Sequence, residues 1–281
     1  MRPDTLGVIG LGAIGGSIAW QAVRAGIRRV IGFSVTPAEM ATALRCGAIT
    51  AAGSTARAAV RDSDLVVLAT PPGAVLELLR RPILDALRPD AFCTDVAGIK
   101  GPIARRAREL GLADRFAGSH PFVSELGRGF GAARPARFRG ALVYVTPTGT
   151  ADGPAREVAD FWRSVLEAEP VLVTPEQHDV TVGWTAHLPR LVAGLLADTL
   201  SHDGPRGVSY GPTARDTTRW AVAGVDWWRE LLLLNRANLL AALDGVEGAA
   251  GRLRRALAEG DERALAAWLE GGAAWRRRLD S

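Results

Sequence analysis

The apolar positions of this chain follow two patterns, one before residue 174 and one after it. The first part alternates short continuous apolar runs with stretches of helical spacing. Continuous apolar runs are typical of parallel strands covered on both faces, and such alternation indicates an α/β domain with a doubly wound parallel sheet. The predicted strands are the apolar run opening residues 6–16, then residues 29–33, 64–70, 91–96, 115–119, 141–146 and 170–173. The predicted helices are residues 13–25, a helix from residue 37, and residues 73–87, 103–110 and 153–166.

After residue 175 the pattern is helical throughout. The predicted helices are residues 176–200, 213–223, 226–243, 249–258 and 261–279. We therefore predict two domains, residues 1–174 and residues 175–281. The helical part is rich in apolar side chains for its size, among them Val180, Trp184 and Leu195. We expect some of this surface to meet a second copy in a homodimer, although packing within one chain would also explain it.

A glycine turn joins the first predicted strand to the first predicted helix. Its glycines, Gly10, Gly12 and Gly15, have the G-x-G-x-x-G spacing. In a strand–turn–helix these glycines allow a tight turn, close backbone approach to a pyrophosphate, and close helix packing. The amides at the start of the helix would face the phosphates. We therefore predict a Rossmann dinucleotide-binding domain with these cofactor-binding residues at the turn: Gly10, Leu11, Gly12, Ala13, Ile14 and Gly15.

The end of the second strand bears on the choice of cofactor. An Asp or Glu at this position takes the ribose hydroxyls in NAD-binding units. This chain has Ser34 there, followed by Val35 and Thr36. Ser34 and Thr36 could hydrogen-bond a 2′-phosphate, so the cofactor is NAD or NADP; equally, both residues could cap the helix that begins near Pro37.

Polar and small residues gather where the later strands end. Ligands of open α/β sheets lie beside the carboxyl ends of the strands, so these residues are candidates for the site. We assign four of them to the cofactor, and Gly98 and His120 lie at strand ends as well. The four are Thr70, Pro71, Asp95 and Lys100.

Composition narrows the class of protein. The chain has 281 residues, 48% hydrophobic and 23% charged, with a formal charge of +4. Its cations are almost all Arg, interleaved with acids, which does not indicate nucleic-acid binding. Cys46 and Cys93 lack metal-ligand spacing, and no apolar run is long enough to span a membrane. We expect a cytoplasmic protein without a metal site, a nucleic-acid partner or a membrane partner.

The motifs together resemble one family, the prephenate and arogenate dehydrogenases of tyrosine biosynthesis. The resemblance covers most of the chain. It implies an NAD(P)-dependent oxidative decarboxylation of a cyclohexadienyl substrate, with a Rossmann domain followed by a helical dimerisation domain. The motifs that carry it are GLGAIG at residues 10–15, then residues 95–100, 118–121, 187–189, 215–219 and 228–235.

The resemblance implies roles for individual residues. His120, in Gly-Ser-His-Pro, matches the base that takes the proton of the substrate C4 hydroxyl. Arg219 matches an arginine that binds a substrate carboxylate, and Arg215 lies four residues earlier on the same helical face. His187, in His-Leu-Pro, and Trp228 match residues of the substrate site; core packing is an alternative for Trp228. His178 and His202 are interpreted as surface or helix-end residues.

Two departures from the family bear on the substrate. Gly98 stands where the family often has a Ser that holds the C4 hydroxyl. Glu125 adds a carboxylate that would repel a dianion and suit a substrate ammonium group. The substrate is therefore prephenate, arogenate or 4-amino-4-deoxyprephenate, and a specialised enzyme of the last type is one alternative.

Other functions stay open. One alternative is a related two-domain reductase, such as a β-hydroxyacid dehydrogenase or an imine reductase; the former uses a Lys in its helical domain, where this chain has none. Another is a non-catalytic NAD(P)-sensing dimer. We also expect no tyrosine-sensing regulatory domain after the helical part.

Overall fold

A computed structural model describes residues 2–80, 83, 85–123, 127–149, 153–221 and 224–279. The chain divides into two compact units. The first comprises Met1–Val182 and Ala223–Asn235, and the second comprises Gly183–Val222 and Arg236–Ser281. The first unit thus includes a later segment of the chain, and the predicted domain boundary after residue 174 stays a prediction.

Within the described residues, a five-stranded parallel sheet and a three-stranded sheet form the first unit. The strands are β1 (Thr5–Ile9), β2 (Arg29–Phe33), β3 (Ala51–Ala52), β4 (Leu65–Leu68), β5 (Phe92–Asp95), β6 (Ala117–Pro121), β7 (Leu142–Pro147) and β8 (Glu169–Leu172). The larger sheet has the order β3-β2-β1-β4-β5. Every residue of β1 and β4 is buried, as expected of central strands with helices on both faces. The predicted doubly wound α/β domain is confirmed.

Helices lie between and after these strands in the first unit and account for the regular secondary structure described in the second unit. They are α1 (Ala13–Arg24), α2 (Pro37–Arg45), α3 (Ala56–Arg61), α4 (Pro72–Leu78), α5 (Gly101–Glu109), α6 (Gly153–Ser164), α7 (Pro175–Val182), α8 (Leu188–His202), α9 (Pro212–Thr218), α10 (Val225–Leu234), α11 (Arg236–Glu259) and α12 (Glu262–Leu279). Helix α4 is shorter than predicted, and Pro82 follows it in the sequence. The predicted helical character of the C-terminal part is confirmed.

The smaller sheet differs from the prediction of parallel strands throughout. Strand β6 lies beside β5 through one parallel bridge between Cys93 and Phe116, but it pairs with β7 in the antiparallel direction. The described part of the β6–β7 connection contains a short 3₁₀ turn, Phe130–Ala132, and no helical crossover. Because a parallel neighbour needs a long crossover, usually a helix, this chain returns in the opposite direction.

Two predicted helices are interrupted. The predicted helix 176–200 is α7, a π-helical turn at Gly183–His187, and α8. Pro189 has no N–H for the carbonyl of Thr185 and its ring crowds that carbonyl, so the helix widens just before it. The predicted helix 226–243 ends at Leu234: Asn235 leaves the α-helical backbone conformation, and its side chain donates to the Asp179 carbonyl at 3.0 Å. Among the described residues, no helix combines the length and the hydropathy needed to cross a membrane.

Candidate active site

The turn after β1 has the geometry that its glycines predict. Gly10 adopts a φ of +96°, and a Cβ there would lie 2.5 Å from the Ala69 carbonyl oxygen. A Cβ at Gly15 would overlap the Gly10 carbonyl oxygen. A Cβ at Gly12 meets no described atom within 4 Å, so space opens beside the turn. Gly12 also caps α1 without a side-chain hydrogen bond, which leaves the helix amides to other acceptors.

An orphaned hydroxyl lies at the same edge of the sheet. Thr70 follows β4, and its Cγ2 would be 3.0 Å from a Cβ on Gly10. In the described part of the chain, the Thr70 hydroxyl is buried without a hydrogen-bond partner. A buried hydroxyl without a partner is costly, so a ligand that bonds to it is favoured. The glycine turn and Thr70 together fit the pyrophosphate of a dinucleotide.

A carboxylate that was not predicted from the sequence, that of Glu39, lies beside the end of β2. The buried Ser34 hydroxyl donates to Oε2 of Glu39 at 2.6 Å, and the Thr36 amide donates to the Ser34 hydroxyl at 3.2 Å. The Phe130 amide donates to Oε1 of Glu39 at 3.2 Å. Glu39 lies in the first turn of α2, five residues after Ser34, so the chain turns it back toward the strand end.

Asp95 and Lys100 form a fully buried ion pair at the end of β5. The Lys100 ammonium also donates to the Ser119 carbonyl at 2.6 Å, and the Ala97 amide donates to Asp95 at 2.8 Å. Burial raises the pKa of Asp95 and lowers that of Lys100, while their mutual attraction opposes both shifts. The pair ties the end of β5 to β6. Their predicted contact with the cofactor stays a prediction.

His120, near the end of β6, begins a chain of hydrogen bonds. Its Nδ1 lies 2.9 Å from Nε2 of His178, and Nδ1 of His178 lies 2.7 Å from Oδ1 of Asp179. Asp179 is held from the other side by the N-terminus of α5, because the amides of Lys100 and Gly101 donate to its carboxylate at 2.8 and 2.7 Å. Each link in this chain is buried or half-buried.

The chain of bonds sets the tautomer of both imidazoles. Burial lowers the pKa of His178, so its ring is neutral. The Asp179 carboxylate accepts two backbone N–H bonds. Because an ionised carboxylate can only accept hydrogen bonds, its bond to His178 must come from the Nδ1–H of that ring. Nε2 of His178 then carries a lone pair and accepts the Nδ1–H of His120. This arrangement puts the lone pair of His120 on Nε2, the nitrogen that a general base uses.

Gly98 lies beside that nitrogen. A Cβ on Gly98 would be 3.6 Å from Nε2 of His120 and 3.3 Å from Cδ1 of Leu231. The Ser side chain that the resemblance leads one to expect here would therefore lie next to Nε2 of His120. Gly98 and His120, both predicted for the substrate site, are brought together.

The interpretation of His178 as a surface residue is wrong, although it does lie near the start of α7. His178 is 0% exposed, and the rings of His120 and Tyr144 lie 5.1 and 5.7 Å from it. The adjacent His-Asp pair at residues 178–179, just after the last strand, was the available signal. His202, in contrast, is exposed at the end of α8, as expected.

The second unit holds the predicted cationic residues. Arg215 lies in the last turn of α9 and Arg219 begins a 3₁₀ turn, Arg219–Ala221; both are exposed. The guanidinium of Arg219 is 5.1 Å from the ring centre of Trp220, and that of Arg190 is 5.3 Å from the same ring. Arg190 was not predicted, although it directly follows His-Leu-Pro. His187 is buried in the π-helical turn.

The structure gives less information on two residues predicted for the substrate site, Trp228 and Glu125. Trp228 lies half-buried in α10, with its ring centre 4.9 Å from that of Trp227. Its contact with substrate stays a prediction. Glu125 lies outside the described residues.

Comparison with known sequences decides the family. The nucleotide-binding domain of prephenate dehydrogenase matches residues 19–173, and the prephenate dehydrogenase dimerization domain matches residues 174–271. The chain belongs to the prephenate dehydrogenase family. The resemblance drawn from the motifs is therefore confirmed, and so is the expected class of enzyme, a nicotinamide-dependent dehydrogenase.

Individual members of the prephenate dehydrogenase family agree with this assignment. Prephenate dehydrogenase of Bacillus subtilis is 29% identical over 249 residues, which span 86% of this chain and 67% of that protein. Cyclohexadienyl dehydrogenase of Zymomonas mobilis is 28% identical and spans 72% of this chain and 71% of its own length.

Solved structures of this family match the fold over nearly the whole chain. Prephenate dehydrogenase of Aquifex aeolicus, in complex with hydroxyphenyl propionate and NAD+, has a TM-score of 0.90 and 28% identity, with 98% of each chain covered. Arogenate dehydrogenase of Synechocystis has a TM-score of 0.84 and 25% identity, covering 98% of this chain and 99% of its own.

Proposed function

We propose that this protein oxidatively decarboxylates a prephenate-like cyclohexadienyl acid with NAD or NADP, and that His120 is the general base. The observation that carries the proposal is the bonded series His120–His178–Asp179, which directs the lone pair of His120 to Nε2. The relatives named prephenate, cyclohexadienyl and arogenate dehydrogenase support this class of substrate.

The bound dinucleotide supplies a hydride acceptor. Gly10, Gly12 and Gly15 would hold its pyrophosphate at the start of α1, and the Thr70 hydroxyl would hydrogen-bond to it. His120, near the end of β6 in the smaller sheet, takes the C4 hydroxyl proton on Nε2 while the hydride leaves C4. The resulting imidazolium keeps its Nδ1–H bond to neutral His178, and Asp179 stabilises the added positive charge.

Loss of carbon dioxide follows from the substrate itself. Oxidation at C4 makes a ring ketone, and the electron pair of the breaking carbon–carboxylate bond then flows into the ring and onto the ketone oxygen. The product is aromatic, and the proton on His120 returns to the phenolate oxygen. This chain therefore needs no separate group to activate the leaving carboxylate.

Arg219 and Arg215 are the proposed partners of the substrate carboxylates, with residues 175–281 as the substrate and dimerisation domain. Guanidinium forks suit a dicarboxylate because they bind it bidentately. We take prephenate as the first substrate to test. An amino-bearing analogue is the second candidate. Gly98, beside Nε2 of His120, has no side-chain hydroxyl that could hydrogen-bond to a substrate C4 hydroxyl.

A spectrophotometric assay tests the reaction. Purified protein is supplied with NAD or NADP and with prephenate, arogenate or 4-amino-4-deoxyprephenate, and formation of reduced nicotinamide is followed. We expect His120→Asn to bind cofactor as the wild type does and to lose on the order of a hundredfold or more in kcat. Wild-type turnover with none of the three acids would refute the proposed reaction; unchanged turnover in the variant would refute the role of His120.

We also propose that the chain acts as a homodimer. The match of residues 174–271 to a dimerization domain supports this, as does the number of large apolar side chains exposed in the second unit. These include Trp184, Leu195, Leu196, Leu240, Leu257, Trp268 and Leu269. Sedimentation equilibrium tests it: a single-chain mass of 29.7 kDa at micromolar concentration would exclude the dimer.

A further inference from the structure

The carboxylate of Glu39 stands where a dinucleotide-binding sheet distinguishes its two cofactors. That place is the end of β2, occupied here by Ser34. The residue at this position faces the adenosine ribose, whose 2′ substituent is a hydroxyl in NAD and a phosphate in NADP. Ser34 alone is neutral, and its chemistry suits either group.

The hydroxyl of Ser34 is already hydrogen-bonded to a charged side chain. It donates to Oε2 of Glu39 at 2.6 Å, and the Thr36 amide fills one acceptor position of the hydroxyl at 3.2 Å. The side chain of Ser34 is 6% exposed, so this geometry is enclosed by the protein. A negative charge is therefore present within one hydrogen bond of the strand end.

A second contact fixes Glu39 from the opposite side. The Phe130 amide donates to Oε1 at 3.2 Å, so each carboxylate oxygen accepts one hydrogen bond from the protein. A carboxylate has about four acceptor positions, which leaves capacity for the hydroxyls of a ribose. Both anchors are donors, and neither brings a positive charge.

Among the described residues, the Glu39 carboxylate is not paired with a cation. In the part of the chain that the structure describes, Glu39 forms no ion pair with an arginine, and Lys100, the one lysine of the sequence, is paired with Asp95. Val35, next to Ser34, is 90% exposed and uncharged. A 2′-phosphate placed here would meet the Glu39 carboxylate, whereas a 2′-hydroxyl would meet an acceptor.

We propose that Glu39, held by Ser34 and the Phe130 amide, is the residue that makes this enzyme select NAD over NADP. It takes the place of the acidic residue that the strand end lacks, from five positions further along the chain. The inference rests on the proposed cofactor site at the glycine turn. It needs no assumption about the substrate or about His120.

Binding of the reduced cofactors to the full-length protein tests it without turnover. Titrations followed by the fluorescence of the reduced nicotinamide give Kd for NADH and NADPH. We expect the wild type to bind NADH on the order of a hundredfold more tightly than NADPH, because like charges repel at this range. Glu39→Gln keeps the size and removes the charge: its amide oxygen can accept from the Phe130 amide, and its NH2 can donate to the Ser34 hydroxyl. We expect the ratio to fall by about tenfold or more, mainly through tighter NADPH binding.

Two further variants complete the experiment. Glu109→Gln removes an equal charge from the last turn of α5, where the side chain is 63% exposed, and should leave the ratio unchanged. Ser34→Ala removes one anchor of Glu39 and should lower the ratio by a smaller factor than Glu39→Gln.

The outcomes separate this inference from the proposed function. Two results would overturn the role of Glu39 while the cofactor site stands. One is a wild type that binds NADPH as tightly as NADH. The other is a ratio of the two Kd values that is the same in Glu39→Gln and in Glu109→Gln. Failure of the wild type to bind either cofactor overturns the cofactor site and this inference with it.

Discussion

The two units hold their functional side chains in opposite ways. In the first, His178 is 0% and Asp179 5% exposed, and each of their polar contacts with His120 and α5 is a short hydrogen bond. In the second, Arg215 and Arg219 stand exposed on short helical turns. A base needs its lone pair on one nitrogen in one direction, and only a buried network fixes that. A guanidinium needs only to reach a carboxylate, which completes its hydrogen bonds on binding.

This contrast predicts that the two units control different kinetic constants. Damage to the buried network should lower kcat, because in the proposed reaction the network acts on the proton that is transferred. Damage to the exposed cations should raise KM, because their proposed contacts are with carboxylates that substrate and transition state share.

Asp179→Asn breaks the network and should have the largest effect. The Asn amide must turn an N–H toward either His178 or the amides of α5, all of which are donors. If it faces His178, the tautomers reverse and Nε2 of His120 becomes protonated. We expect kcat to fall on the order of a hundredfold, with the Kd for NADH within a few-fold of wild type.

Steady-state kinetics with fluorescence titration of NADH measure both quantities. Asp160→Asn, on the exposed side of α6, is the matched control and should behave as the wild type does. A kcat for Asp179→Asn within threefold of wild type would show that the tautomer of His120 is set by other groups.

Arg219→Lys tests the other side of the comparison. Lysine keeps the charge but loses the planar fork and the contact of the guanidinium with the ring of Trp220. We expect KM for the cyclohexadienyl substrate to rise about tenfold with kcat within a few-fold of wild type. Initial-rate measurements at saturating cofactor provide both constants. Arg254→Lys, exposed on α11, is the control, and a fall in kcat at unchanged KM would place Arg219 in the chemical step instead.

Burial of neutral His178 should make the stability of the first unit depend on pH. Its pKa is lowered in the folded protein from an ordinary value of about 6.5, so the unfolded chain binds the proton more readily. The contribution of His178 to stability is then complete above pH 6.5 and is lost as the pH falls through the lower pKa of the folded state. Each unit of that lowering costs about 1.4 kcal/mol at acid pH.

Urea unfolding at pH 7.5 and pH 5.5 measures this loss. In His178→Gln the contribution of this residue to the pH dependence should vanish. The free energy of unfolding should then differ less between the two pH values than it does in the wild type. An identical difference in both proteins would mean that His178 does not titrate on unfolding.

The sequence was sufficient to predict most of the first unit. Continuous apolar runs located β1, β2, β4 and β5, and the spacing of Gly10, Gly12 and Gly15 located the turn, because these features depend on local periodicity and on backbone space. His120 was found at a strand end through a motif. Gly98 was found in the same way, and the two lie together in the structure.

What the sequence did not predict depends on contacts between distant segments. His178 was misinterpreted because its position early in a helix does not indicate its partner His120, which lies 58 positions away. The carboxylate of Glu39 was missed because it reaches the end of β2 from α2, not from the strand itself. The π-helical turn before Pro189 was missed because apolar periodicity does not resolve one widened turn.

Gly98→Ser should have the smallest effect, and it sharpens the comparison from within the rigid unit. A Cβ here would lie 3.3 Å from the flexible end of Leu231 and 3.6 Å from Nε2 of His120, so the change is accommodated with little movement. The added hydroxyl can hydrogen-bond a C4 hydroxyl as its proton leaves. We expect kcat/KM for prephenate to rise about threefold to tenfold, roughly the worth of one net hydrogen bond. Gly98→Ala adds the same Cβ without the hydroxyl and is the control. A gain shared by Ser and Ala would come from filling space beside His120, whereas a gain confined to Ser and to hydroxyl-bearing substrates would come from the hydrogen bond, and a loss in both would show that the site needs the space that Gly98 leaves.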